Sequence, residues 1–183
     1  MNELGQPIGW PVATDLPRPR PEKVRLEGRF CSLVPLDVEA HGGQLWEAFS
    51  ADMTGVDWTY LPVAPIETEA DFGVFLRAAE ASEDPLYFTV LNAEGRAVGH
   101  ATYLRIDPAN GVIEVGYIHF SPLMQRTPMS TEAMYLMMAY VFETPGYRRH
   151  ACKCDALDAP SPHAATRLRT TFSGSVPQAV GYH

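Results

Sequence analysis

At 183 residues, with 46% apolar and 20% charged residues, the chain has the length and composition of one globular domain with a real core. Its 14 Lys and Arg against 22 Asp and Glu give a net charge of −8 with no basic block, which argues against nucleic acid and anionic membranes as partners. Three cysteines without framework spacing, no signal-peptide pattern and no apolar run of transmembrane length point to a reduced, cytoplasmic protein.

Residues 1–22 carry Pro7, Pro11, Pro17, Pro19 and Pro21 and predict an extended, loosely attached arm ahead of a domain over 23–183. Residues 24–36 read as one strand, with Gly28 as a bulge and Pro35 near its end. Asp37 is placed to cap a helix running to about Ser50, with Leu45, Trp46 and Phe49 as its apolar stripe. A loop over 53–65 holds Trp58, Tyr60 and Leu61, aromatics and an aliphatic that either cover a core edge or line a substrate pocket. Thr68 then caps a second helix, with Asp71 three residues on and Phe72, Phe75, Leu76 and Ala79 on one face.

Strands over 86–91 and 97–105 form a hairpin across a turn at Asn92. A turn over 107–111 leads to a third strand, 112–120, completing an antiparallel meander. A helix starts at Pro128, buries Met134, Met137, Met138, Val141 and Phe142, and stops at Thr144-Pro-Gly146. Residues 149–157 predict a strand parallel to that of Glu114, since a helical crossover separates them. Ser161 and Pro162 are placed as N-cap and first residue of a short helix, and 173–182 could supply one more strand.

The stretch 112–133 concentrates the chemistry. A strand that hands directly to a helix start presents unpaired N–H groups and the positive end of the helix dipole, an anion cradle. Glu114 stands beside it as a proton acceptor on an otherwise apolar strand, or as a plain structural glutamate. His150, Cys152 and Cys154 alternate on one strand face with His163 further on, a possible zinc set, but the spacing is not that of a zinc module and no metal is expected.

Five segments carry a family resemblance: Leu26-Glu-Gly-Arg-Phe30, Trp58-Thr-Tyr-Leu-Pro62, Glu114-Val-Gly-Tyr117, Gln125-Arg-Thr-Pro-Met-Ser-Thr-Glu-Ala133 and Asp158-Ala-Pro-Ser161. In this order the chain resembles the GCN5-related N-acetyltransferase (GNAT) superfamily, in its ribosomal-protein and small-amine (RimJ/RimL-like) branch. The resemblance implies an α+β fold: a mixed, mostly antiparallel sheet splayed at a cofactor gap, about four flanking helices, and a shortened C-terminus lacking the last strand or strands. It implies acetyl-CoA as acyl donor, with pantetheine in the gap along Ile118, His119 and Phe120. Its pyrophosphate would lie on Gln125, Arg126, Thr127, Met129, Ser130 and Thr131. Pro128, which has no N–H, stands where relatives have glycine.

By the same resemblance, Glu114 is the general base and Ser161 protonates the departing thiolate. A main-chain N–H near Ile118 or His119 serves the oxyanion at a strand bulge, with the His119 and Tyr117 side chains as alternatives. Asp158, where relatives have Asn, contacts the pantetheine as an acceptor only. Trp58, Tyr60 and Tyr117 are placed to hold the acceptor amine. Arg169-Thr170 stand where relatives have Gly-Phe, so a left-handed residue there would cost about 1 kcal/mol. The implied activity is acetyl transfer to a protein N-terminus or small amine in a ternary complex. The alternatives are an impaired relative that binds CoA, or an interaction module; the oligomeric state is left open.

Overall fold

The computed structural model describes residues 1–9, 11, 12, 15–52, 54–155 and 157–175. Six strands form one sheet in sequence order: β1 (Leu26–Glu27), β2 (Cys31–Pro35), β3 (Leu86–Asn92), β4 (Ala97–Asp107), β5 (Val112–Phe120) and β6 (Arg149–Cys152). Four helices flank it: α1 (Val38–Phe49), α2 (Glu69–Ala81), α3 (Pro128–Glu143) and α4 (Pro160–Arg167), with a short 3-10 turn at Val56–Trp58. The first five strands are antiparallel to their neighbours, and β6 is parallel to β5. A hairpin turn reverses a chain, whereas the α3 crossover returns it in its original direction.

The starts of α1 and α2 follow from their caps. The Asp37 side chain accepts from the Ala40 N–H at α1 (2.9 Å), and Thr68 accepts from the Asp71 N–H at α2 (3.1 Å). The two sheet faces bury separate cores. On one, Phe88, Tyr103, Ile113 and Val115 pack against Met134, Met137 and Val141 of α3. On the other, Val34, Tyr87 and Leu91 pack against Leu45 and Phe49 of α1 and Phe72 and Leu76 of α2. None of the described helices is long and apolar enough to cross a membrane.

Four expectations change. Residues 24–36 are not one strand but a small hairpin, β1 paired with β2 around a turn at Gly28. The cause lies far off in sequence. The Glu132 carboxylate of α3 accepts from the N–H groups of Arg29 (2.8 Å), Phe30 (2.6 Å) and Cys31 (2.9 Å), which closes the turn onto the helix. Only glycine fits at residue 28, since a Cβ there would stand 2.8 Å from the Cys31 carbonyl as well as against the Glu132 carboxylate.

The end of the proline arm, Arg18 to Glu22, is strapped down rather than loose, and Lys23 just past it is tied as well. The Arg18 N–H donates to the Pro108 carbonyl (2.9 Å), Arg20 to that of Glu83 (2.9 Å), the Glu22 N–H to the Tyr140 hydroxyl (2.9 Å) and Lys23 to the Glu80 carbonyl (2.8 Å). Proline leaves carbonyls free and costs little ordering entropy, so an extended strap can be held by neighbours alone.

β6 ends at Cys152, well short of residue 157. α4 starts at Pro160 with Ala159 as its N-cap residue, so Ser161 lies inside the first turn and does not cap it. The described part of 173–182 carries no strand, and residues 176–182 lie outside the described residues. Arg169 does adopt the left-handed backbone expected of it (φ 58°).

The Glu132 clamp is testable. Burial pushes its carboxyl up, but the three main-chain N–H donors and the Cys31 thiol outweigh that and hold it below the usual range. Glu132→Gln is expected to lower the unfolding free energy by about 1–3 kcal/mol at neutral pH. A depressed folded value contributes stability that is full above the unfolded value, about 4.3, and is lost as pH falls through the folded one. Denaturant midpoints of the two proteins should therefore converge in acid; curves that stay parallel down to about pH 3 would show that the charge contributes nothing.

Candidate active site

β5 and β6 run side by side only from Val112↔Arg149 to Val115↔Cys152. β5 then continues to Phe120 while β6 stops, so the two strands part and leave a gap along Gly116 to Phe120. On the β4 side the register shifts: His100 faces His119 and Thr102 faces Gly116, so Tyr117 and Ile118 together oppose Ala101. This is a β-bulge, and Tyr117 sits in it at φ 44°, a strained conformation for a bulky side chain. The bulge expected near Ile118 is therefore present.

The bulge divides the site between the two faces of the sheet. Ile118 and Phe120 pack toward the α3 core. Tyr117 and His119 line a small cavity with Trp58, Phe75, Tyr87 and His100. His119 is stacked on Phe49 (ring centroids 3.8 Å apart, planes at 1°) with the Trp58 edge at 4.5 Å. Burial first, then the neighbouring His100, holds its imidazole down at about 3. Its ring is a neutral, packed group rather than a side chain bordering the strand gap. Tyr60 does not line this cavity, whereas Leu61, Pro62 and Val63 of the same loop do.

Glu114 does not meet the apolar surroundings expected of it. Its side chain is buried at 7% exposure, Arg105 of β4 contacts one oxygen, and the Lys153 ammonium lies 3.0 Å from the other. Accepting a proton there requires one ion pair to open. The sequence offered no sign of these partners: Arg105 arrives through cross-strand pairing, next to Leu104↔Glu114, and Lys153 through the parallel return of β6.

Across the gap, no side chain caps α3 and no acid lies in its first turn. Three of the residues expected to hold an anion are otherwise engaged. The Gln125 N–H donates to the Ser121 carbonyl (3.1 Å) and its side-chain amide to that of Phe120 (2.7 Å). The Thr127 N–H donates to the Met124 carbonyl (3.3 Å). Thr131, fourth residue of the helix, spends its N–H on the ordinary helical ladder. Arg126, Met129 and Ser130 remain; Arg126 is exposed, in the left-handed region (φ 58°), with no ion-pair partner among the described residues.

Near the end of β6, Ser161 donates its hydroxyl to the Asp158 carboxylate (2.5 Å), so these two predicted residues are brought together. Cys152 links them to Glu114. Though exposed as a residue, its thiol is pushed up to about 11 by local burial, then by Cys154, Glu114 and Asp158. Thiols so disposed hold their protons, and among the described residues no group of three or more His, Cys, Asp or Glu is arranged to hold a metal.

Similarity to known proteins agrees with this geometry. The family model described as an acetyltransferase (GNAT) domain matches residues 33–171. A GCN5-related N-acetyltransferase from Brucella melitensis is 41% identical, with a TM-score of 0.88 over 92% of this chain and 77% of that one. A probable acetyltransferase of the GNAT family from Chromobacterium violaceum is 33% identical, with a TM-score of 0.86 over 96% of this chain and 87% of that one. The fold is also shared with RimL, a ribosomal L7/L12 alpha-N-protein acetyltransferase, at 16% identity and a TM-score of 0.75 over 92% of this chain and 93% of that one. No curated protein matches the chain by sequence. The split sheet with a bare helix start beside it thus belongs to a chain that is a member of the GNAT acetyltransferase family.

Proposed function

We propose that this chain transfers an acetyl group from acetyl-CoA to a primary amine, a protein N-terminus or a small amine, by direct attack in a ternary complex. The observation that carries the reading is the parting of β5 from β6 after Val115 and Cys152, opposite an α3 start with no side-chain cap. An open strand edge offers main-chain groups to an extended amide-bearing chain, and an uncapped helix start with an exposed arginine suits a pyrophosphate. RimL, described as an alpha-N-protein acetyltransferase, supports the protein N-terminus among the acceptors.

Acetyl-CoA, when bound, supplies the acyl group as an activated thioester. Arg126 and the amides of Met129 and Ser130 would hold its phosphates; Pro128 has no N–H to offer. The main chain at Ile118, in the part of β5 beyond its pairing with β6, would supply the N–H for the acyl oxygen. Glu114 takes the amine's proton through water once the exposed Lys153 swings off its oxygen. Ser161, oriented by Asp158, holds the proton needed when the thiol departs.

The paired state of Glu114 favours a second reading, in which the chain binds CoA without transferring the acyl group. Kinetics of Glu114→Gln separate the two. Under the transferase reading its kcat falls about 100-fold or more and the acidic limb of the pH profile disappears. Unchanged turnover and profile would remove Glu114 from the chemistry. A wild type that binds acetyl-CoA yet releases no thiol with any amine would favour the binding-only reading.

Arg126→Ala is expected to weaken CoA binding about 10-fold or more in titration calorimetry, with the deficit shrinking as salt rises. An affinity equal to wild type at low salt would place the phosphates elsewhere.

A further inference from the structure

Successive residues of a strand turn their main-chain N–H and C=O groups alternately to its two neighbours. Just ahead of β5, the Gly111 carbonyl faces the β6 side, where it accepts from the N–H groups of Arg148 (3.0 Å) and Arg149 (3.2 Å). Five residues on, alternation turns the Gly116 carbonyl the other way, toward β4, and there it accepts from the Thr102 hydroxyl (2.9 Å). Just past β5, the Ser121 N–H also faces β4 and donates to the Val98 carbonyl (3.2 Å). Gly116 and Ser121 are again five residues apart, yet both face β4. The alternation has slipped by one place between them, at the bulge where Tyr117 and Ile118 oppose Ala101.

The slip has a chemical consequence. The peptide between Gly116 and Tyr117 is planar and trans, so its N–H points opposite to its C=O. With the Gly116 carbonyl held at β4, the Tyr117 N–H points to the other side, where β6 has already ended. Counted back from Ser121, the Ile118 N–H points to that side too. Two successive N–H groups thus turn toward the gap, as a left-handed residue permits (Tyr117, φ 44°). A bulky residue keeps such a backbone only where its surroundings fix it. Thr102 is one such support: it is wholly buried and stands opposite Gly116 in register.

We propose that Thr102 is a positioning residue of the transfer step: by holding the Gly116 carbonyl at β4, it aims the Tyr117 N–H, beside that of Ile118, at the thioester oxygen. The inference rests on the acetyl-transfer reading above. Negative charge grows on that oxygen as the amine adds to the carbonyl carbon, and donors already fixed in direction stabilise it without reorganising. Thr102 acts through the peptide it holds, not by touching the substrate. A threonine that merely satisfies a buried carbonyl changes stability when it is lost. A positioning threonine changes kcat and the state of the bound thioester as well.

The test compares wild type with Thr102→Val, which keeps the shape and removes the hydroxyl, and Thr102→Ser, which keeps the hydroxyl. Thiol release gives kcat, and calorimetry gives the affinity for CoA, which has no thioester. Infrared spectroscopy of acetyl-CoA isotope-labelled at its carbonyl carbon reads hydrogen bonding to the thioester oxygen. Thr102→Val is expected to lower kcat about 10-fold or more and to return the bound carbonyl band toward its free position, with CoA affinity within about twofold of wild type. Thr102→Ser should keep most of both. A wild-type band at its free position, an unchanged kcat and band in the valine variant, or kcat and CoA affinity falling together would overturn the positioning role. If wild type binds acetyl-CoA with a shifted band yet releases no thiol with any amine, the transfer reading fails, and the valine variant's band alone decides the role of Thr102. Nuclear magnetic resonance of wild type guards against a variant that fails to fold. The Tyr117 and Ile118 amide signals should move with acetyl-CoA and much less with CoA; amides indifferent to the acetyl group would overturn the proposal.

Discussion

One extra residue in β5 organises the working half of this molecule. Tyr117 and Ile118 stand against the single Ala101 of β4, and the strand absorbs the mismatch at Tyr117 (φ 44°). A bulge of this kind sharpens local twist and interrupts pairing. On one side β5 stays zipped to β4 beyond it, through His100↔His119 and Gly99↔Phe120. On the other it no longer has β6 for a neighbour. A sheet that is continuous on one side and split on the other is the scaffold of the GNAT family to which the chain belongs.

Everything else holds that split open. Gly99, opposite Phe120, has no room for a side chain, since a Cβ would meet the His119 carbonyl at 2.9 Å and the Met124 sulfur at 2.7 Å. The Gln125 side chain ties the Phe120 carbonyl to the turn before α3, fixing where that helix begins. Glu132, one turn along, fastens the same helix to the β1–β2 turn at the far edge of the sheet. α3 is thus anchored at both ends of its first turns, and its bare N-terminus is aimed by packing rather than by its own sequence. On the opposite face Phe49 of α1 and Trp58 of the 3-10 turn press on His119, closing that side of the sheet with packed rings.

The elements themselves were legible because local physics specifies them. Asp37, Thr68 and Pro128 mark helix starts through backbone donors and a fixed φ, and the meander announces itself in β-branched runs broken by turns. The bulge and the left-handed Arg169 were anticipated through the family resemblance rather than from the local residues. What failed were readings that depended on distant partners. Residues 24–36 read as one strand because nothing nearby reveals that Glu132 will reach across to fold them at Gly28. The end of the proline arm read as loose because the bonds of Arg18, Arg20 and Glu22 go to Pro108, Glu83 and Tyr140.

The candidate site divides along the same line. Residue order alone determined which chemistry is available: a carboxylate on a strand, a helix start opened by proline, a serine three residues past an aspartate. Spacing along a chain limits backbone conformation and the reach of near neighbours, so these features survive any packing. Only the tertiary structure decided how they are dressed. It placed Arg105 and Lys153 on Glu114, spent the amides of Gln125 and Thr127 on nearby carbonyls, and brought His100 and His119 together from separate strands. Charge pairing and burial act through space, and their strength is set by which strands are neighbours, a property no local window of sequence contains.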